Sequence, residues 1–141
     1  MSQQDEYLET QVMTATPAQL HLMVIDGAVR FSTRAEEALD ESDFEAAHFS
    51  LNTARDFVTE LIGGLNDEHA PEITERLKAL FAYVYRNLVE ADMERDVTKV
   101  RDALKILRMH RESWTALMAQ LNSDSANNGP VPPPQGRNWA G

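Results

Sequence analysis

The chain has 141 residues, 43% of them hydrophobic and 26% charged, with a formal net charge of −10 and no cysteine. That length suits one domain. Without cysteine, a disulfide framework, a thiolate metal site and a Cys nucleophile are all excluded. The anionic surplus argues against nucleic acid and anionic membrane surfaces as partners. No run approaches the roughly 18 apolar residues of a membrane span, and residues 1–6 have neither the basic nor the apolar region of a Sec-type signal.

In chain order, residues 1–15 carry an amphipathic stretch with Tyr7, Leu8 and Val12. It is too short to fold alone, and it is expected to lie as a small cap on a groove. Thr16-Pro17-Ala18-Gln19 then forms a capping box with Pro at the first helical position. In the helix that follows, Leu20, Val24, Gly27, Phe31 and Ala35 recur at helical spacing and predict the core face. Leu22, Ile25 and Val29 recur about 160–200° away and predict a second apolar face, open to a partner. On that reading Ile25→Asp leaves the fold intact. Gly27 costs about 1 kcal/mol against Ala inside a helix, which points to another backbone packing closely there. Asp26 and Arg30, at i and i+4, are expected to form a solvated pair.

A second helix is predicted from Ser42-Asp43, with Ser42 and Glu45 as its capping box. Phe44, Ala47, Leu51, Ala54, Val58 and Leu61 form its seam, and Gly63-Gly64 stops it. Residues 66–70 are a polar turn, and Pro71 opens a third helix. Its expected core stripe is Ile73, Leu77, Leu80, Val84 and Leu88, with Phe81, Tyr85 and Met93 as surplus apolar residues. After a connection over 92–96, the fourth helix carries Val97, Val100, Leu104, Leu107, Trp114, Leu117 and Leu121, with Arg111 as the polar residue in the seam. Ile106 and Met109 lie off it. From residue 122 Ser, Asn, Gly and Pro dominate, so 122–141 reads as a disordered tail in which Trp139 is inert. Helices joined by short turns are antiparallel neighbours. The predicted fold is all-α, an antiparallel up-down four-helix bundle over 16–121 with an N-terminal cap segment.

No nucleophile motif or phosphate-cradling loop is present. A di-metal carboxylate bundle needs two Glu-x-x-His motifs, and Glu45-Ala-Ala-His48 supplies one. No enzyme activity, metal or cofactor is expected. The surplus apolar stripes call for a cover, since large exposed patches mark interaction sites. A homo-oligomer pairing its own stripes, or a client laid along the grooves, would each provide one. The expected partner surface comprises Tyr7, Leu8, Val12, Leu22, Ile25, Val29, Phe81, Tyr85, Ile106 and Met109, with Gly27 as a close-packing site.

Tyr7-Leu-Glu-Thr-Gln-Val-Met-Thr-Ala-Thr-Pro17, followed by Leu20 and Asp26-Gly-Ala-Val-Arg-Phe31, resembles the N-terminal signature of the flagellar secretion chaperone FliS family. Tyr83-Val-Tyr-Arg-Asn-Leu-Val-Glu-Ala91 is similar to a second segment of that family, and Asp96-Val and Trp114 fall where its fourth helix carries them. Ile25 stands where the family has an aromatic before Asp-Gly, Arg111-Glu-Ser-Trp replaces an acidic-Ala-Trp, and the Pro-rich tail has no counterpart. The resemblance, over about residues 7–121, implies a cytoplasmic, non-enzymatic export chaperone; the four amphipathic segments joined by short turns are expected to form a monomer or weak homodimer. The implied client is the C-terminal segment of flagellin, kept from premature polymerisation and delivered to the flagellar type III export apparatus, with export gate components as further partners.

Overall fold

The structure, a computed structural model, describes residues 3–65 and 70–127. It contains α1 (Gln3–Thr14), α2 (Pro17–Asp40), α3 (Phe44–Gly63), α4 (Pro71–Glu94) and α5 (Val97–Asn127), with no strand among the described residues. The fold is all-α.

Local chemistry explains most of the boundaries. Thr16 Oγ1 accepts from Gln19 N at 3.1 Å while Gln19 Oε1 accepts from Thr16 N at 2.9 Å, so two donors left over at the start of α2 are satisfied reciprocally. The α3 cap is Asp43, not Ser42 with Glu45. Ser42 takes φ 59 to turn the chain out of α2, which leaves Asp43 Oδ1 to accept from Ala46 N at 3.2 Å. Gly64 ends α3 at φ −82, without a left-handed turn. Arg95 ends α4 at φ 53, a strained position for a residue with a Cβ. Its guanidinium lies over the Phe44 ring, 4.1 Å from the centroid, which offsets part of that cost. Asp96 Oδ1 accepts from Thr98 N at 2.9 Å and opens α5; the Thr98 hydrogen bonds hold its carboxyl below the usual range. α5 continues to Asn127, six residues beyond the expected end of the bundle at 121. The turn residues 66–69 and Trp139 lie outside the described residues.

α2 packs on α3 and on α5, and α4 packs on the same two helices. α2 and α5 run in opposite directions: Ala18 meets Trp114, Asp26 meets Arg111, and Glu36 and Asp40 meet Arg101. Leu51, Val58, Leu61, Phe81, Val84, Leu88, Val100, Leu104 and Leu107 fill the centre, with Ala28, Ala35, Ala54 and Ala103 between them. α1 stands apart. Its described side chains from Gln3 to Thr10 are exposed, Tyr7 by 70% and Leu8 by 51%, so Tyr7 and Leu8 cover no groove in this structure.

α2 is rotated from its expected setting, and α4 departs from its own at Ile73 and Leu80. On α2 Ile25 is fully buried, whereas Leu20, Val24 and Phe31 are only partly so. On α4 Val84 and Leu88 are buried as expected, together with Thr74, Phe81, Asn87 and Ala91, while Ile73 is 60% and Leu80 39% exposed. Neighbours in sequence are about 100° apart on a helix, so choosing the wrong one of two adjacent apolar residues turns the whole face. Gly27 is tight, but against a side chain rather than a backbone: a Cβ there would lie 2.5–2.7 Å from the Phe57 ring. Asp26 pairs with Arg111 across the helices instead of with Arg30, which lies near the Phe31 ring.

Candidate functional site: an apolar groove at one end

Where α2 begins, α3 ends and α4 begins, the helices stop closing on one another. The gap is a groove of about 480 Å³, walled by Leu20 and Val24 of α2, Leu65 after α3, Ile73 and Leu77 of α4, and Leu117 of α5. Ala18, Gly64 and Ala70 sit among them, so small residues leave room where larger ones would close the wall. Among the described residues, Glu60 supplies the one carboxylate of the lining.

Trp114 ties α5 to the start of α2: its Nε1 donates to Ala18 O at 3.0 Å. His21 stacks on Trp114 with ring centroids 4.4 Å apart, and its Nε2 meets His110 Nε2 at 2.9 Å. The edge of Phe81 packs at 4.9 Å from His110. Burial, and secondarily the charge of His110, push the His21 pKa down to about 4; burial also lowers His110. Among the described residues, the groove lining is therefore apolar and uncharged near neutrality apart from Glu60.

The expected partner surface is only partly assembled. Ile25 and Phe81 are fully buried and offer nothing to a partner docking on this structure, which corrects their assignment to an open face. Leu22 and Val29 are half-buried, Val29 against the core. Tyr85 (37% exposed) and Met109 (58%) are open, and Ile106 packs in part against the core. Tyr7 and Leu8 are open on α1; the side chain of Val12 falls outside the described residues. Among those with described side chains, none lines the groove. The lining residues the sequence reading missed were Leu20, Val24, Ile73, Leu77 and Leu117, all assigned to the core, together with His21 and His110. Their signal was present as apolar periodicity, but periodicity does not say where a seam stops being covered. His48, the one match to a metal motif, lies at the other end with its Nδ1 2.7 Å from Asp92. Among the described residues no three His, Asp or Glu side chains converge as a metal site, and no helix is long and apolar enough to cross a membrane.

Fold and site together define an all-α protein with an apolar groove at one end of its packed helices. The profile of the family described as flagellar protein FliS matches residues 1–121. Three relatives carry the name flagellar secretion chaperone FliS. The Bacillus subtilis protein is 27% identical over 89% of this chain and 92% of its own length. The Salmonella typhimurium protein is 32% identical over 76% and 80%, and the Escherichia coli protein 29% identical over 76% and 79%. The chain belongs to the FliS family, a family of flagellar secretion chaperones and not of enzymes.

Proposed function

We propose that this chain is a cytoplasmic export chaperone, an antiparallel up-down four-helix bundle that holds the C-terminal segment of flagellin as an amphipathic helix in the groove. The observation that carries this reading is the groove itself. Its volume of about 480 Å³ falls within the roughly 300–1,000 Å³ of ordinary binding pockets, and its wall presents aliphatic side chains from four helices around one carboxylate. Such a surface suits the helix-in-groove mode, in which residues at i, i+3 or i+4 and i+7 anchor the client. Covering the same residues of flagellin prevents premature polymerisation before delivery to the type III export apparatus and its gate. Much of the contact energy is offset by ordering a disordered segment, so the complex is tight enough to escort and still releasable. The exposed Tyr7, Leu8, Tyr85 and Met109 extend the contact beyond the groove.

Leu117 is 42% exposed on the groove wall, so Leu117→Asp leaves the fold intact. It weakens binding of a flagellin C-terminal peptide at least tenfold in calorimetric titration, because the client would bury an unpaired charge. Unchanged affinity with unchanged helicity removes the groove from the interface. A variant that loses self-association and keeps its peptide affinity favours the homo-oligomer instead.

A further inference from the structure

His21 on α2 and His110 on α5 meet head to head in the groove wall. Their Nε2 atoms are 2.9 Å apart and their ring centroids 5.2 Å apart at an interplanar angle of 83°. The centroid separation is the contact plus the two ring radii, so both nitrogens lie on the line between the rings. A neutral pair fits this geometry in one way: one Nε2 carries a hydrogen and the other offers its lone pair. One added proton goes to Nδ1 of the donating ring, and the bond survives. A second places N–H on both Nε2 atoms. The bond is then lost, and two like charges face each other at hydrogen-bond distance.

Among the described residues, little around the pair would absorb that charge. α3 contributes Glu60 to the groove lining, and α4 contributes Ile73, Thr74 and Leu77, none ionisable, with the Phe81 ring behind His110. On the pair's own helices the Asp26 and Arg111 side chains already neutralise each other. Burial keeps both rings below their ordinary range.

The pair also has a defined load. With the Trp114–Ala18 hydrogen bond it ties the first turn of α2 to α5, while α2 is anchored independently from Ile25 onward by fully buried residues. Breaking the pair removes one of the two ties on that turn, leaving the Trp114–Ala18 hydrogen bond and the core in place.

We propose that His21 and His110 form a proton-operated latch on the groove, closed while the pair shares one hydrogen and opened by double protonation, so that acid loosens an apolar client held there. The effect on the client rests on the function proposed above; the latch itself does not. A client that covers the neutral pair disfavours its protonation, and by linkage protons then disfavour the client.

The test uses the full chain with Trp139→Phe, which leaves Trp114 as the single tryptophan beside His21. Between pH 7.5 and 4 the Trp114 emission should change with a midpoint below 6.5 while far-UV helicity holds. The change should be absent in His21→Gln/His110→Gln, whose amides can still bond to each other; His21→Gln alone serves if the double variant misfolds at pH 7.5. No transition, a midpoint at the ordinary histidine value, the same transition in the variant, or helicity lost in step with it would each overturn the latch. In a second arm, the affinity of a flagellin C-terminal peptide should fall at least threefold more between pH 7.5 and 4.5 in the parent than in the variant. Equal falls overturn the coupling to the client. A peptide that does not bind the parent at pH 7.5 overturns the proposed function, and the emission titration still decides the latch.

Discussion

The two ends of the packed helices use the same seams and reach opposite outcomes. At the end where α2 finishes and α5 begins, Ala35, Ala38, Ala47, Ala91 and Ala103 are all buried in the core. Charged side chains bridge the seams outside them. Asp92 of α4 receives Arg55 of α3 at 3.2 Å, Arg101 of α5 reaches Glu36 and Asp40 of α2, and Lys99 holds Glu90 at 2.9 Å. The recess left there is small, about 190 Å³, and bordered by His48, Asp92 and Arg95. At the other end Leu20, Val24, Ile73, Leu77 and Leu117 line an open groove together with Ala18, Gly64 and Ala70. The cross-links are a neutral histidine pair and one indole hydrogen bond. The lesson is that an apolar seam is closed only where buried side chains and cross-helix ion pairs meet across it; at the other end small residues sit among the large aliphatic ones and a groove remains.

That contrast can be broken most forcefully at Ile25, which is fully buried between the two ends. Ile25→Asp should unfold the protein or cost at least about 4 kcal/mol, since it buries an unpaired carboxylate. Circular dichroism and denaturant melts check this. Retained native stability would restore Ile25 to an open face.

A change in pH separates the ends next. His21 has a folded pKa of about 4 against an ordinary 6.5. Above pH 6.5 the ring is neutral folded and unfolded, and its contribution is fully present. As pH falls from 6.5 toward 4 the unfolded chain binds a proton that the folded one refuses, so stability declines. The slope is at most about 1.4 kcal/mol per pH unit for one proton, and less because the ring is partly exposed. Urea midpoints at pH 7.5 and 5 should separate for the parent and move closer together in His21→Gln. Equal separations would place the acid sensitivity elsewhere.

Gly27→Ala probes the packing between α2 and α3. The added methyl meets the Phe57 ring at 2.5–2.7 Å, so overpacking of about 1–3 kcal/mol should outweigh a helix-propensity gain of about 1 kcal/mol. Phe57→Leu in the same chain should recover the loss. A double-mutant cycle with zero coupling would show that the ring is not what excludes the Cβ.

The smallest effect runs the other way. Ser32 is fully buried, and its Oγ has no hydrogen-bond partner among the described residues. Ser32→Ala removes an unsatisfied group and improves helix propensity. Stability should rise by about 1 kcal/mol in thermal melts, whereas a fall would mean that the hydroxyl has a partner, such as a water.

What the sequence determined by itself was whatever adjacent residues decide together. The Thr16–Gln19 box, Pro71, the Gly63-Gly64 stop and the seam of α3 are local bargains, and each stands where the pattern places it. Family membership was legible for the same reason, since short runs such as Asp26-Gly-Ala carry it. The rotation of α2 and the departure of α4 at Ile73 and Leu80 were not legible. Leu20, Val24, Ile25 and Val29, like Ile73, Thr74, Leu80 and Phe81, offer apolar residues on more than one side of a helix, and periodicity weighs those sides almost equally. Only the shape of the facing helices ranks them: the Phe57 ring against Gly27, the buried alanines at one end, and Trp114 reaching Ala18 at the other. The groove and the His21–His110 contact belong to that second class, because residues 89 apart in the chain meet only after the backbones have packed.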